Sequence, residues 1–263
     1  MRLWQLCVAC GILGAANAAP AANLIVNGDF ELTTLPGSHE FGGQYPVNQL
    51  LGWATDSYSF VFAPGTADTT GSTGSLGVFA LWGPNNGGAN GLTPTSPVGG
   101  NFIGSDGTYL TAPITQTISG LTAGASYDLS FWWAAGQQYG YNGATTSGWN
   151  ISIGDQTFTT PTAYVPEHGF APWTRQSFNF VAQTSTAQLA LLAFGAPMGQ
   201  PPLSLIDGIQ LDLSGGVPST APEPGTWAMS LLGFLAIGTL IRRQRQRVPV
   251  RHPSSSSANL QQV

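Results

Sequence analysis

Five aromatic residues, Trp132, Trp133, Tyr139, Tyr141 and Trp149, fall within eighteen positions, interleaved with Gln137, Gln138 and Asn142. His168, Phe170 and Trp173 follow a little later. Aromatic faces stack on the apolar faces of sugar rings while side-chain amides take the hydroxyls, so this mixture of residue types suits carbohydrate recognition. The candidate ligand-binding set is Gln137, Gln138, Tyr139, Tyr141, Trp149 and Trp173. Trp132 and Trp133 are adjacent in an extended segment and must point to opposite faces, which places one of them in a core. The run 136–148 is rich in glycine and polar residues and reads as a loop over one sheet. The cluster also fits a second reading, a packed core beside a loop capped by aromatic residues.

Support for catalysis is thin. The sequence has no Gly-x-Ser-x-Gly elbow, no His-Glu-x-x-His and no phosphate-binding glycine loop. His39-Glu40 and Glu167-His168 are neighbours in sequence, which by itself sets no ligand geometry, and the histidines read as loop residues. The expectation is a non-enzymatic protein. A glycoside hydrolase remains an alternative, because that chemistry needs only two carboxylates and many are present.

Residues 19–221 hold eleven carboxylates against one base, Arg175, a net charge of −10 with histidine neutral, and the whole chain contains no lysine. Such a surface cannot neutralise phosphates, which excludes nucleic acid as a partner. It suits an extracellular protein that meets neutral sugars or divalent cations. The only cysteines, Cys7 and Cys10, lie in the N-terminal segment, so the remaining chain has neither disulfide nor thiol chemistry.

The elements that must carry these residues read as strands. Glycine, threonine, serine and asparagine are abundant, and no stretch from 24 to 213 shows helical periodicity with caps. Leu24-Ile25-Val26 reads as a short strand before an Asn27-Gly28 turn. Strand patterns recur at 58–62, 76–81, 101–103, 114–118, 127–132, 149–153, 156–160, 176–181, 187–194 and 203–213, with a long surface loop at 83–101. The expected fold is all-β, a jelly-roll β-sandwich, over residues 19–214.

Asn27-Gly28-Asp29-Phe30-Glu31, Gly52-Trp53, a Gln-Thr-Ile strand, Leu121-x-x-Gly124-x-x-Tyr127-x-Leu129-x-Phe131 and Leu205-Ile206-Asp207-Gly208-Ile209 together resemble the galactose-binding-like jelly rolls used by many carbohydrate-binding modules. The resemblance implies a structural calcium ion joining the first strand region to the last, with Glu31 and Asp207 at the matching positions and carbonyls near Gly28 as helpers. Calcium accepts six to eight oxygens in irregular geometry. The alternative is that both carboxylates are hydrogen-bonded residues at strand ends.

The two ends of the chain carry targeting patterns. Met1-Arg2, an apolar run and Ala16-Asn17-Ala18 fit a secretory signal peptide over 1–18. A linker at 215–221 leads to Pro222-Glu223-Pro224, where the prolines forbid a helix interior and hold Glu223 extended. Residues 226–241 carry no charge and read as a transmembrane helix; sixteen residues reach roughly 24 Å, slightly short of the bilayer core. Arg242, Arg243, Arg245 and Arg247 then mark a cytoplasmic side. Over 222–247 this order resembles the PEP-CTERM sorting signal, a segment also called an ice-binding protein C-terminal domain. That resemblance implies processing by an exosortase-type membrane protease of a Gram-negative bacterium, with the protein held in the inner membrane beforehand and then placed at the cell surface or in the matrix. Residues 248–263 extend beyond the usual end of such signals, and their serine-rich part reads as a disordered tail.

The resulting expectation is an exported, non-catalytic surface or matrix protein associated with extracellular polysaccharide of an exopolysaccharide or biofilm matrix. A structural or adhesive protein that binds protein or ice is the alternative. The threonines show no fixed period of the kind a flat ice-binding array would favour.

Overall fold

Alternation of apolar and polar side chains along the longest strands sets the architecture. The computed structural model describes residues 23–42 and 49–214. Thirteen strands occur there: β1 (His39–Phe41), β2 (Ser59–Phe62), β3 (Ser72–Gly74), β4 (Gly77–Phe79), β5 (Phe102–Asp106), β6 (Ile114–Ser119), β7 (Ser126–Gln137), β8 (Thr145–Ile153), β9 (Gln156–Thr159), β10 (Ala163–Val165), β11 (Ala171–Val181), β12 (Thr186–Ala196) and β13 (Pro202–Leu213). No helix occurs among the described residues. The signal-peptide, linker, sorting-signal and tail expectations, including Pro222, Glu223, Pro224, Arg242, Arg243, Arg245 and Arg247, lie outside them.

The strands form two sheets. The larger runs β11-β7-β13-β5-β2-β1-β3-β4, and the smaller runs β10-β8-β12-β6 with β9 also paired to β8. From β5 onward the chain passes between the sheets, and the two four-membered sets β5-β13-β7-β11 and β6-β12-β8-β10, with β9 added beside β8, have the strand order of a jelly roll. The all-β sandwich expected from sequence is therefore what the described residues form.

In β7, Tyr127, Leu129, Phe131, Trp133 and Ala135 share the inner face and meet Trp149, Ile151 and Ile153 of β8 and Leu189 and Leu191 of β12 in the inter-sheet core. A second core lies on the larger sheet, where Phe60, Phe62, Phe79, Phe102, Leu203 and Leu205 pack with Leu81 and Leu92 of the long 80–101 segment. Phe60 stacks on Phe79 at 4.1 Å between centroids. An outer face filled with phenylalanine needs that cover, because apolar area left in water loses about 25 cal/mol per Å² of burial.

Several boundaries differ from the sequence reading. Residues 24–26 form no strand; Leu24 N donates to Leu211 O and the segment runs irregularly into Asn27, whose φ is 52°. The turn at Asn27 is confirmed, and its side chain explains it: Nδ2 donates to Leu32 O and Leu51 O, and Oδ1 accepts from Leu32 N. His39 and Glu40, expected in a loop, are buried in β1.

The expected 136–148 loop is shorter, because β7 continues to Gln137 and β8 begins at Thr145. Gly148 is there for space: a Cβ would lie 2.3 Å from the Phe194 ring. The real turn uses Gly140 and Gly143, both at positive φ.

A candidate carbohydrate-binding cavity and an acidic end

The turn after β7 is held by a side chain that resembles a ligand-binding residue in sequence. Gln137 is fully buried; its Nε2 donates to Gly143 O at 2.7 Å and its Oε1 accepts from His168 N at 2.9 Å. This corrects its expected role: a fully buried side chain bonded to protein at both ends braces the 138–144 turn against the 166–170 segment and is closed off from a sugar.

The segment 80–82 docks on that brace. Trp82 N donates to Gln137 O at 2.9 Å and Tyr139 N donates to Ala80 O at 2.8 Å. Trp82 is then the centre of an aromatic group. Its indole stacks on the His168 ring at 3.7 Å and 29°, meets the Tyr139 ring at 4.5 Å and 59°, and donates from Nε1 to Tyr141 O at 2.8 Å. His168 Nε2 pairs with Asn142 Oδ1 at 2.7 Å, and Asn90 Nδ2 donates to the carbonyls of both Trp82 and His168. Glu167 accepts from Gly143 N at 3.2 Å and lies 3.9 Å from His168 Nε2. Trp82 was not legible as a site residue. The usable signal was a tryptophan just before Gly83-Pro84-Asn85-Asn86, a loop sequence too polar to bury it.

Beside this group opens a cavity of about 610 Å³. Tyr58, Tyr109 and Tyr141 supply aromatic surface, and Leu76, Val78 and Met198 form an exposed apolar wall. Asp106, Thr108 and Gln138 are its polar side chains. Volumes of about 300–1,000 Å³ with a few placed polar groups are usual for small-ligand sites. The Tyr58 and Tyr109 rings meet edge to face at 5.4 Å. Burial, with the Glu40 and Asp106 carboxylates adding to it, holds the Tyr58 hydroxyl well above the usual tyrosine range.

Asp106 sits at the end of β5, and the Asp106-Gly107 turn places it. Gly107 is required by close approach, since a Cβ would lie 2.4 Å from the Phe194 carbonyl carbon. Asp106 Oδ1 accepts from Thr108 N, Thr108 Oγ1 and Tyr109 N at 2.8, 3.0 and 3.1 Å. Burial nevertheless pushes its carboxyl above the ordinary aspartate value.

Of the candidate ligand residues, Gln138, Tyr139 and Tyr141 come together at this cavity and its rim, Tyr139 and Tyr141 being 48% and 40% exposed. Trp149 does not. It is fully buried in the middle of β8, takes part in the inter-sheet core, and donates from Nε1 to Leu205 O at 3.2 Å. It begins the strand expected over 149–153, and its position on the inward face, continuous with Ile151 and Ile153, overrides its reading as a ligand residue. Trp173 packs edge to face on Phe102 at 5.5 Å and donates to Thr93 Oγ1, so it edges the outer core and is not part of the cavity lining. Of the tryptophan pair, Trp133 is the core member and Trp132 the half-buried one on the other face.

Glu31 and Asp207 are brought to one end of the sandwich. Asp207 is fully buried; its Oδ2 accepts a short bond from Ser96 Oγ and its Oδ1 accepts from Gly208 N at 2.7 Å. Burial pushes its carboxyl up to about 8, against both hydrogen bonds, and the Glu31 and Asp29 charges add to the rise. Glu31 is exposed and accepts from Asn101 N at 2.5 Å, with glycine at position 100 leaving room for the carboxylate. Gly28 O already accepts from Ile209 N at 2.9 Å. No cluster of three or more His, Cys, Asp or Glu suited to a metal occurs among the described residues, so an ion here would need backbone carbonyls as well. The donor chemistry fits a hard cation: oxygen ligands, a buried carboxylate, and no lysine or arginine among the groups acting on it.

No family model and no curated protein matches the chain. Among solved structures, the chain is similar to the CBM22-1 xylan-binding domain of Paenibacillus barcinonensis Xyn10C, at 12% identity and TM-score 0.37, covering 76% of this chain and 100% of that one. A family 61 carbohydrate-binding module in complex with β-1,4-galactotriose matches at 13% identity and TM-score 0.34, over 74% of this chain and 100% of that one. The enzymatically active domain of a bacteriophage CBA120 tailspike protein matches at 12% identity and TM-score 0.35, over 73% of this chain but 21% of that one. Likeness at this level carries no weight for function.

Proposed function

We propose that the chain is an exported, non-catalytic surface or matrix protein whose galactose-binding-like sandwich binds carbohydrate. The observation that carries this reading is the cavity lined by Tyr58, Tyr109 and Tyr141 together with Asp106, Thr108 and Gln138, with the Trp82–His168–Tyr139 group at its margin. Aromatic faces beside a few fixed polar groups are what a pyranose ring needs. The non-catalytic reading rests on the sequence, which has no Gly-x-Ser-x-Gly elbow, no His-Glu-x-x-His and no phosphate-binding glycine loop.

Export, exosortase processing of the 222–247 segment and association with an exopolysaccharide or biofilm matrix rest on the sequence patterns at the two ends of the chain. We also propose a structural calcium ion at Asp207 and Glu31, supported by the buried carboxylate and the convergence of 28–31, 96–101 and 207–208. Such an ion would neutralise Asp207 and tie the first described residues to β13.

The test is a glycan array probed with the purified chain and with Tyr141→Ala. Binding to defined glycans that Tyr141→Ala weakens supports the reading; a wild-type chain that binds none of them, or releases cleaved sugar, overturns it.

A further inference from the structure

We propose that the cavity beside Tyr141 selects a cationic amino sugar, the ammonium-bearing hexose unit of a partly deacetylated polysaccharide, with Asp106 as its counter-ion. The inference rests on the carbohydrate-binding reading and names its ligand class.

Asp106 is 1% exposed, yet its bonds are one-sided. Oδ1 takes all three donors from Thr108 and Tyr109. Oδ2 takes none from the described residues, and Asp106 is one of the residues that line the cavity. A carboxylate oxygen held in an apolar, aromatic surround without a donor is costly, and a charge-assisted bond from an ammonium offsets that cost better than a neutral hydroxyl does.

The described residues offer no lysine or arginine for this role. Arg175 is the only lysine or arginine among the described residues; it donates to Ser130 Oγ on β7 and does not line the cavity. Acidic sugars such as uronates would meet Asp106 with no compensating base, which disfavours them.

The remaining walls suit the same ligand. Tyr109 and Tyr141 line the cavity and are exposed at 46% and 40%, and aromatic rings of this kind can pair with a cation or with the C–H face of a sugar. Leu76, Val78 and Met198 add exposed apolar surface to the lining.

The experiment titrates the purified chain with short glucosamine, N-acetylglucosamine, glucose and galacturonate oligomers of equal length, at physiological salt. Because the Debye length there is about 8 Å, diffuse attraction between an acidic protein and a cationic oligomer is weak. The expected result is tightest binding of the glucosamine oligomer, by about tenfold over the acetylated one. Asp106→Asn keeps an Oδ1 acceptor for the turn and should erase that preference while leaving the melting temperature close to wild type. If Asp106→Asn does not fold, Val78→Arg on the exposed wall gives the second measurement and should weaken glucosamine binding selectively. Equal or tighter binding of an acetylated, neutral or acidic oligomer overturns the inference and leaves the carbohydrate reading standing. A glucosamine preference that survives Asp106→Asn also overturns it, as diffuse charge. Failure of the wild type to bind any oligomer defeats both readings.

Discussion

The Trp82 indole lies against the His168 imidazole with ring centroids 3.7 Å apart and planes 29° from parallel. These residues are far apart in sequence and belong to two irregular segments, 80–90 and 166–170. Neither segment has a ladder of its own at this point, so the stack and the Asn90 amide, which bonds both carbonyls, hold them together. His168 adopts φ 55°, a conformation that costs a non-glycine residue energy and persists when its surroundings fix it. Here the fixing groups are Gln137 Oε1 on its N–H and Asn142 on its ring.

Trp82→Ala should therefore loosen the cavity margin as well as the fold. Removing a half-buried tryptophan falls at or below the about 3–5 kcal/mol of a core aromatic. Chemical denaturation should report a loss of about 2 kcal/mol, and titration with any glycan the wild type binds should report weaker binding. Unchanged values of both would show that the stack neither supports the fold nor shapes the site.

The aromatic residues of 139–149 separate by substitution. Trp149→Ala should cost about 3–5 kcal/mol of stability, because its whole side chain lies in the inter-sheet core. Tyr139→Ala and Tyr141→Ala should change stability by less than about 1 kcal/mol, as exposed positions do. They should weaken glycan binding by roughly thirtyfold where the ring is a hot spot. Thermal melts and affinities of the three variants check this, and a Trp149→Ala chain that folds normally would contradict the core assignment.

How far these features were legible in sequence follows from which contacts are local. Alternation along β6, β7 and β13 announces a sandwich because one face of each strand meets a core, and the Asn27 turn is encoded by a side chain that bonds within a few residues. The role of Gln137 was not legible, since one partner, His168, is brought in by a segment that follows β8, β9 and β10, and only the other, Gly143, lies in the adjoining turn. Trp149 misled because Gly148 beside it resembles loop composition, whereas that glycine makes room for Phe194 of β12 across the sheet. Tyr58, Tyr109 and Asp106 joined the cavity only once β2 paired with β5.

For sorting, Glu223→Ala should leave export intact and block removal of the C-terminal segment. The motivation is the Pro-Glu-Pro triplet immediately before an apolar run only sixteen residues long. Fractionation should find the uncut variant in the inner membrane. Release of the variant at the wild-type rate would defeat the exosortase reading of the segment.

Asp207 gives a prediction in which pH and calcium act on the same group. Its carboxyl is raised from 3.8 to about 8 in the folded chain. Metal-free protein should thus hold the full benefit of the protonated form below pH about 4 and lose it as pH rises towards 8, with a slope of at most about 1.4 kcal/mol per pH unit. Calcium stabilises the ionised carboxylate instead, so adding it should raise the melting temperature most at the alkaline end and flatten the dependence. An ion present at a hundredfold over its Kd contributes about 2.7 kcal/mol. Asp207→Asn should remove both the slope and the calcium response, and Glu31→Ala should reduce the calcium response while sparing most of the slope, because burial is the main cause of the rise. Melting curves from pH 4 to 8 with chelator and with calcium distinguish the cases. A slope that chelator and calcium leave identical would mean that Asp207 is a buried, hydrogen-bonded acid held by Ser96 and Gly208 alone.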